Sequence, residues 1–304
     1  MADEGARASG GALSDGPLSE GPASEGLLSD LTPEERAKLA ASFGGVAVEY
    51  ERFRPGPPVE AVEWILPSHA RRVVDLGAGT GALSRILVDR VDEVVAVEPD
   101  QRMRSVLVDA LPEVRAVDGR GEAIPLPDNW ADAVVASSSW HWMDPVPTLH
   151  EVARVLVPGG VLGALWSGPD PESGFVAQAR ALLAGGPLAG SETEGVDPGE
   201  EPGGGGLVRL VMGDPDRLRF SLQIPPGVPF EQPEHFVHTW NVALNSEELI
   251  GLLGTFSWII TMPEETRTRV VGEARRLLRD VVGLEGDATV DVGFRSDAFR
   301  ARRR

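Results

Sequence analysis

The first half of the chain alternates short apolar runs with amphipathic stretches. RRVVDL (71–76), DEVVAVE (92–98), EVRAVD (113–118), WADAVVASSS (130–139) and GVLGALW (160–166) are too short and too uniformly apolar for surface helices. They predict buried strands. Between them, GALSRILVDR, QRMRSVLVDAL and PVPTLHEVARVL carry apolar residues at helical spacing. Strands alternating with helices predict a parallel sheet covered on both faces, an open doubly wound α/β fold. In the second half, RLRFSLQI (217–224) and ATVDVGFR (288–295) show period-2 alternation and predict a late antiparallel pair. PEHFVHTW, SEELIGLLGTF and PEETRTRVVGEARRLLRDVV are read as helices, the last two opening on acidic first turns.

Two segments break this pattern. Residues 1–31 repeat a Gly-Pro-Leu-Ser-Glu theme, and 184–206 form a Gly/Glu/Pro stretch. Neither has the apolar content to offset the entropy of ordering, so the first is expected to be a disordered acidic tail and the second a disordered insertion. The folded material is expected at 32–183, a nucleoside-type binding core, and at 207–304, helical additions with antiparallel strands completing the same domain.

Composition narrows the chemistry. The 304 residues include no Cys, which excludes disulfides, thiolate zinc sites and cysteine nucleophiles. Five His show no metal-ligand spacing, so no metal is expected. The formal charge is −19, of which residues 1–35 carry −7 and 184–206 carry −5. An acidic chain without a basic patch is not expected to bind nucleic acid. No apolar run reaches the roughly 20 residues that span a bilayer, and no signal-like start is present, so a cytoplasmic protein with no membrane partner is expected.

The candidate chemistry sits after the first strand. VVDLGAGTGALSRIL places Gly77, Gly79 and Gly81 where a strand turns into a helix and a ligand approaches the main chain. Glu98 ends the second strand about 20 residues later, where a carboxylate can hold both hydroxyls of a ribose. Gly77, Gly79 and Ala82 also satisfy the dinucleotide fingerprint, so these residues alone leave NAD and other adenosine ligands open.

VVDLGAGTG (73–81), VVAVEPD (94–100), GEAIPLPDNWADAVVAS (121–137), WHWMD (140–144) and EVARVLVPGG (151–160), in that order, resemble the class I S-adenosylmethionine-dependent methyltransferases. The likeness is greatest to the small-molecule branch that includes trans-aconitate-type and ubiquinone-biosynthesis-type enzymes, and FGGVAVEYERFRP (43–55) resembles that branch's lead-in. The resemblance implies a seven-stranded, mostly parallel sheet with a helical lid, S-adenosylmethionine as cofactor, and methyl transfer to an O, less readily an N or C, atom of a small organic acceptor.

By resemblance, Asp75 would orient the glycine loop and reach the cofactor's methionine end. Gly77, Ala78 and Gly79 would touch it through the main chain, and Glu98 would accept the ribose hydroxyls. Pro99 would shape the adenine edge, and Gly121 and Glu122 would offer backbone groups to the ring. Arg120 and Gly121 depart from the family pattern, which puts adenine recognition on the main chain. Ser137 would present a carbonyl to the methionine ammonium and Tyr50 would contact its carboxylate. Arg54, Trp142 and His238 would line the acceptor pocket. His141 is the candidate base by position, since imidazole titrates near neutrality. A cofactor-binding but inactive partner protein, or an NAD-dependent oxidoreductase, are the competing readings.

Overall fold

In a computed structural model, residues 52–174, 220–255, 257–260 and 263–304 are described. The acidic tail 1–31, the insertion 184–206, residues 217–219 of the expected strand at 217–224 and Tyr50 lie outside them.

Seven strands form one sheet in the order β3-β2-β1-β4-β5-β7-β6. β1 (Arg72–Leu76), β2 (Glu93–Val97), β3 (Arg115–Val117), β4 (Ala131–Ser137) and β5 (Leu156–Pro169) run parallel to one another. β7 (Thr289–Arg302) runs antiparallel to both β5 and β6 (Glu234–Asn245). The doubly wound, mostly parallel architecture read from the sequence is therefore present. The reversed β7 departs from the 3-2-1-4-5-6 order of dinucleotide-binding domains.

The strands are apolar on both faces because both are covered. Val74, Leu76, Val95, Val97, Val134 and Leu162 pack towards Leu149, Val152 and Val155 of α4 (Pro145–Val155) and towards Phe230. Val73, Val94, Ala133, Val135 and Leu165 point the other way. There they meet Ala61, Val62 and Ile65 of α1 (Val59–Ile65), Leu87 of α2 (Ser84–Leu87) and Leu107 of α3 (Gln101–Ala110). Beyond the sheet, α5 (Ser246–Gly254), α6 (Ser257–Ile260) and α7 (Glu264–Leu277) share a smaller core with Ile250, Leu253, Ile259 and Val270.

Helix starts follow capping chemistry. Asp100 accepts from Arg102 N–H ahead of α3, and Asp144 caps α4, which has Pro145 in its first turn. Asn245 and Glu248 form a reciprocal capping box at α5.

Two expectations are corrected. PEHFVHTW is strand β6, not helix: its residues alternate between the two faces, pairing His235 with Phe299 and His238 with Ser296. The i, i+3 spacing of the two His, which would put them on one face of a helix, puts them on opposite faces of a strand. β6 is thus the partner of β7, a place assigned to RLRFSLQI, whose described residues 220–224 form no strand. Pro158-Gly159-Gly160 lies inside β5, where the β4–β5 register shifts and Gly159 takes φ 77°. The C-terminal arginines are built into the sheet: Arg300 pairs with Glu234 at 2.8 Å, Arg302 ends β7 and Arg303 bridges to Phe230.

Candidate active site

The strand order reverses between β1 and β4, and the crevice at the carboxyl ends of β1, β2 and β4 is where ligands bind in such sheets. The glycine loop enters it with Gly77, Gly79 and Gly81 at φ 69°, 57° and 95°. Side chains strain there, which explains the residue type. Gly77 has a second reason, since a Cβ on it would lie 2.6 Å from the Ser139 Cβ. The N–H groups of Gly77 and Ala78 both donate to Val97 O, at 2.8 and 3.2 Å, fastening the loop to the end of β2.

Two acids stand under this loop. Asp75 is 1% exposed, and its Oδ2 accepts from Ser84 Oγ at 2.7 Å. Its Oδ1 is buried and meets no donor among the described residues. Burial pushes the Asp75 carboxyl up to about 7, against the lowering effect of the Ser84 bonds. Glu98 is 8% exposed; Oε2 accepts from Gly79 N–H and Oε1 from Asp100 N–H, both at 2.9 Å. Burial raises its pKa and these two backbone bonds act to lower it.

A carboxylate offers about four lone-pair positions. Two on Glu98 are used by backbone N–H groups, one on each oxygen, which leaves one on each for a ribose hydroxyl. The orphaned oxygen of Asp75 calls for a donor or a cation from outside the protein. Both fit the adenosine and the ammonium-bearing amino acid of S-adenosylmethionine.

Gly121 and Glu122 form the tip of a tight turn after β3, closed by the Arg120–Ala123 bridge. Glu122 Oε1 accepts Asp144 N–H at 2.7 Å, so its side chain ties this turn to the start of α4. A Cβ on Gly121 would meet Met143 Sδ at 2.6 Å and Thr148 at 2.9 Å, so the glycine makes room for those side chains. Pro99 sits in the β2–α3 connection, before the cap residue Asp100.

β4 ends at Ser137, and Ser138 takes the left-handed conformation with φ 53°. A non-glycine residue held there is strained, and such strain gathers at functional sites. Ser139 Oγ donates to Leu76 O at 2.6 Å, joining this corner to β1. The turn Trp140–Trp142 follows. His141 stacks on Phe220 at 4.6 Å and tilts against Trp142 at 4.6 Å. Its Nδ1 accepts the indole N–H of Trp166, at 3.0 Å, from the carboxyl end of β5.

The structure therefore brings Asp75, Gly77, Ala78, Gly79 and Glu98 into one crevice and puts His141 and Trp142 at the end of the adjacent strand. It does not bring His238 there. Trp166 pairs with Asp297 while His238 pairs with Ser296, one residue out of phase, so the two lie on opposite faces. His238 faces Glu60 of α1 at 3.6 Å, between Phe236 and Trp240. Arg54 lies in the lead-in to α1, next to Phe53, whose ring occupies the place of a Gly251 Cβ on α5. Two residues later, a Cβ on Gly56 would lie 3.8 Å from Ala82 O, so the lead-in runs beside the glycine loop.

Sequence reasoning missed the partners of His141. Trp166 was legible as the carboxyl end of a strand in GALW. Phe220 falls within RLRFSLQI, read as a strand, but its described neighbours 221–224 form no strand, and nothing local ties it to His141. Among the described residues there is no cluster of His, Asp or Glu able to hold a metal, and no helix long and apolar enough to cross a membrane.

Residues 74–164 match a family model described as a methyltransferase domain. An uncharacterised methyltransferase of Mycobacterium tuberculosis is 40% identical over 80% of this chain and 88% of its own length. One from Schizosaccharomyces pombe is 26% identical over 84% of this chain and 94% of its own. Among solved structures, a proposed type II methyltransferase from Anaeromyxobacter dehalogenans superposes with a TM-score of 0.51. It is 24% identical and covers 83% of this chain and 98% of its own, a likeness of fold.

Proposed function

The chain belongs to the class I S-adenosylmethionine-dependent methyltransferases, and from that premise we propose that it methylates an oxygen, less readily a nitrogen or carbon, of a small organic acceptor. The observation that supports a small acceptor best is the cluster of His141, Trp142, Trp166 and Phe220 beside the switch-point crevice. Aromatic walls with a few polar atoms suit a compact organic molecule.

In this reading the cofactor, when bound, supplies a methyl group already activated on a sulfonium. Glu98 would accept the ribose hydroxyls on its two remaining lone pairs. Asp75 would complete its orphaned oxygen with the methionine ammonium, and the Ser137 carbonyl would serve the same group. The main chain at Gly77, Ala78, Gly79, Gly121 and Glu122 would follow the cofactor's outline, with Pro99 at the adenine edge. His141, Trp142 and Arg54 would border the acceptor. The protein's work is then alignment and the exclusion of water, which can account for most of such a rate enhancement.

The test is incubation of the purified protein with methyl-labelled S-adenosylmethionine and a panel of small carboxylic acids, phenols, alcohols and amines, beside protein and RNA. Label is expected in a small-molecule fraction. Label only in protein or RNA would contradict the reading. S-adenosylmethionine binding without any transfer would favour the inactive partner protein.

A further inference from the structure

We propose that Arg154, acting with Glu151, is a positioning residue for the cofactor's base: it fixes the main chain of 121–128 so that the turn at Gly121 and Glu122 discriminates adenine from other purines. This deepens the methyltransferase reading and rests on it.

The connection from β3 to β4 leaves the sheet beside Glu98, whose N–H donates to Val117 O at 3.1 Å. Apart from the Arg120–Ala123 bridge, residues 118–130 form no regular element. Such a segment takes its shape from partners outside it. Arg154, in the last turn of α4, supplies them. Its guanidinium has five N–H groups in a planar fork, and each meets an acceptor. Nε and Nη2 bind the two oxygens of Glu151 at 2.9 and 2.8 Å. Nη2 also donates to Ile124 O at 2.9 Å, and Nη1 donates to Leu126 O and Asp128 Oδ1, both at 2.8 Å. Glu151 Oε2 in turn accepts the Ile124 N–H at 3.0 Å. Both main-chain groups of Ile124 are thus held by one charged pair, while Ile124 and Leu126 bury their side chains in the core that Leu149 and Val152 of α4 help to form.

The start of the same helix grips the tip of the turn. Glu122 Oε1 accepts the Asp144 N–H at 2.7 Å, and Thr148 stands where a Gly121 Cβ would be. About 15 Å of helix separates Asp144 from Arg154, so one rigid rod fixes the turn at two points. Rigidity matters because Arg120, beside the turn, cannot accept from a base's amino group and leaves recognition to the main chain. A main-chain hydrogen bond to a base edge weakens steeply once its distance or angle drifts. Lysine at 154 would keep the charge, but three donors on one atom cannot span Glu151 and two carbonyls.

The test is calorimetric titration of the full chain with S-adenosylhomocysteine and with S-inosylhomocysteine. The inosyl compound has a carbonyl in place of the amino group and an N–H in place of the ring acceptor beside it, so the base edge is reversed. The wild type should prefer the adenosyl compound by at least about tenfold, the worth of a hydrogen bond to the edge. Arg154→Lys should bring the two affinities within about threefold, by weakening the adenosyl compound. A general loss of stability would weaken both ligands in the same proportion and leave the preference as it was. Glu122→Ala releases the tip of the turn without touching Arg154. It should also lower the preference, and it decides the matter if Arg154→Lys does not fold. A preference kept in the folded variants, or none in the wild type, would overturn the proposal and leave the methyltransferase reading standing. No binding of S-adenosylhomocysteine to the wild type would strike that reading and the proposal with it.

Discussion

Glu98 binds the glycine loop that it stands beside: its Oε2 takes the Gly79 N–H at 2.9 Å while Oε1 takes the Asp100 N–H at the same distance. One carboxylate thus sets the spacing between the ends of β1 and β2 before any ligand is present. Glu98→Gln keeps the shape but turns one acceptor into a donor facing a backbone N–H. An unsatisfied buried donor costs about 1–3 kcal/mol. S-adenosylhomocysteine affinity should fall roughly 10- to 100-fold, as read by calorimetry, with a measurable drop in Tm.

Asp75 gives the ligand-free protein a pH dependence with a definite sign. Its carboxyl ionises near 3.8 in an open chain and near about 7 when buried in the fold. Between those values the native state holds the extra proton. Stability from this group is complete below pH 4 and is lost as the pH rises through 7. Asp75→Asn should flatten that part of the profile, which at full size amounts to no more than about 4 kcal/mol. Urea unfolding of both proteins at pH 4.5 and pH 8 measures it. A wild-type stability that rises across this window by more than the variant's would contradict the assignment.

Gly77 and Gly159 separate conformation from crowding. Both have positive φ, 69° and 77°, but a Cβ on Gly77 strikes Ser139 while one on Gly159 meets nothing within 4 Å. Gly159→Ala should lose only the backbone term, about 1–2 kcal/mol, and bind S-adenosylhomocysteine normally. Gly77→Ala should lose clearly more stability and displace the loop, weakening binding at least tenfold. Equal losses in the two variants would remove the Ser139 contact from the explanation.

Gly251 lies in α5, where Ala would ordinarily add about 1 kcal/mol of helix propensity over Gly. Here its Cβ would fall inside the Phe53 ring. Gly272 in α7 has open space around it and is the control. Gly272→Ala should stabilise the protein by up to about 1 kcal/mol. Gly251→Ala should fail to do so and should speed release of S-adenosylhomocysteine in stopped-flow, because Phe53 anchors the segment that passes Ala82.

The glycine-loop half of the candidate site was legible because it is local. Asp75, the three glycines and Glu98 fall within 24 residues, and strand ends bring them together in any doubly wound sheet. The His141 half was less so. His141 was placed at the end of β4, but it packs with Trp166, from another strand, and Phe220, from beyond a long low-complexity stretch. His238 was misplaced for a physical reason: the face of HFVHTW is decided by pairing with β7, and no local propensity encodes that partner. The late antiparallel pair was expected, and β7 was found, yet the second member was sought in the wrong segment.

The most direct measurement is calorimetric titration of S-adenosylhomocysteine into the wild type and into Glu98→Ala, with NAD and NADP as controls. A ribose held by Glu98 predicts saturable binding to the wild type, loss of it in the variant, and no heat from either nucleotide. Undiminished binding to Glu98→Ala, or no binding to the wild type at all, would contradict the site described for this chain.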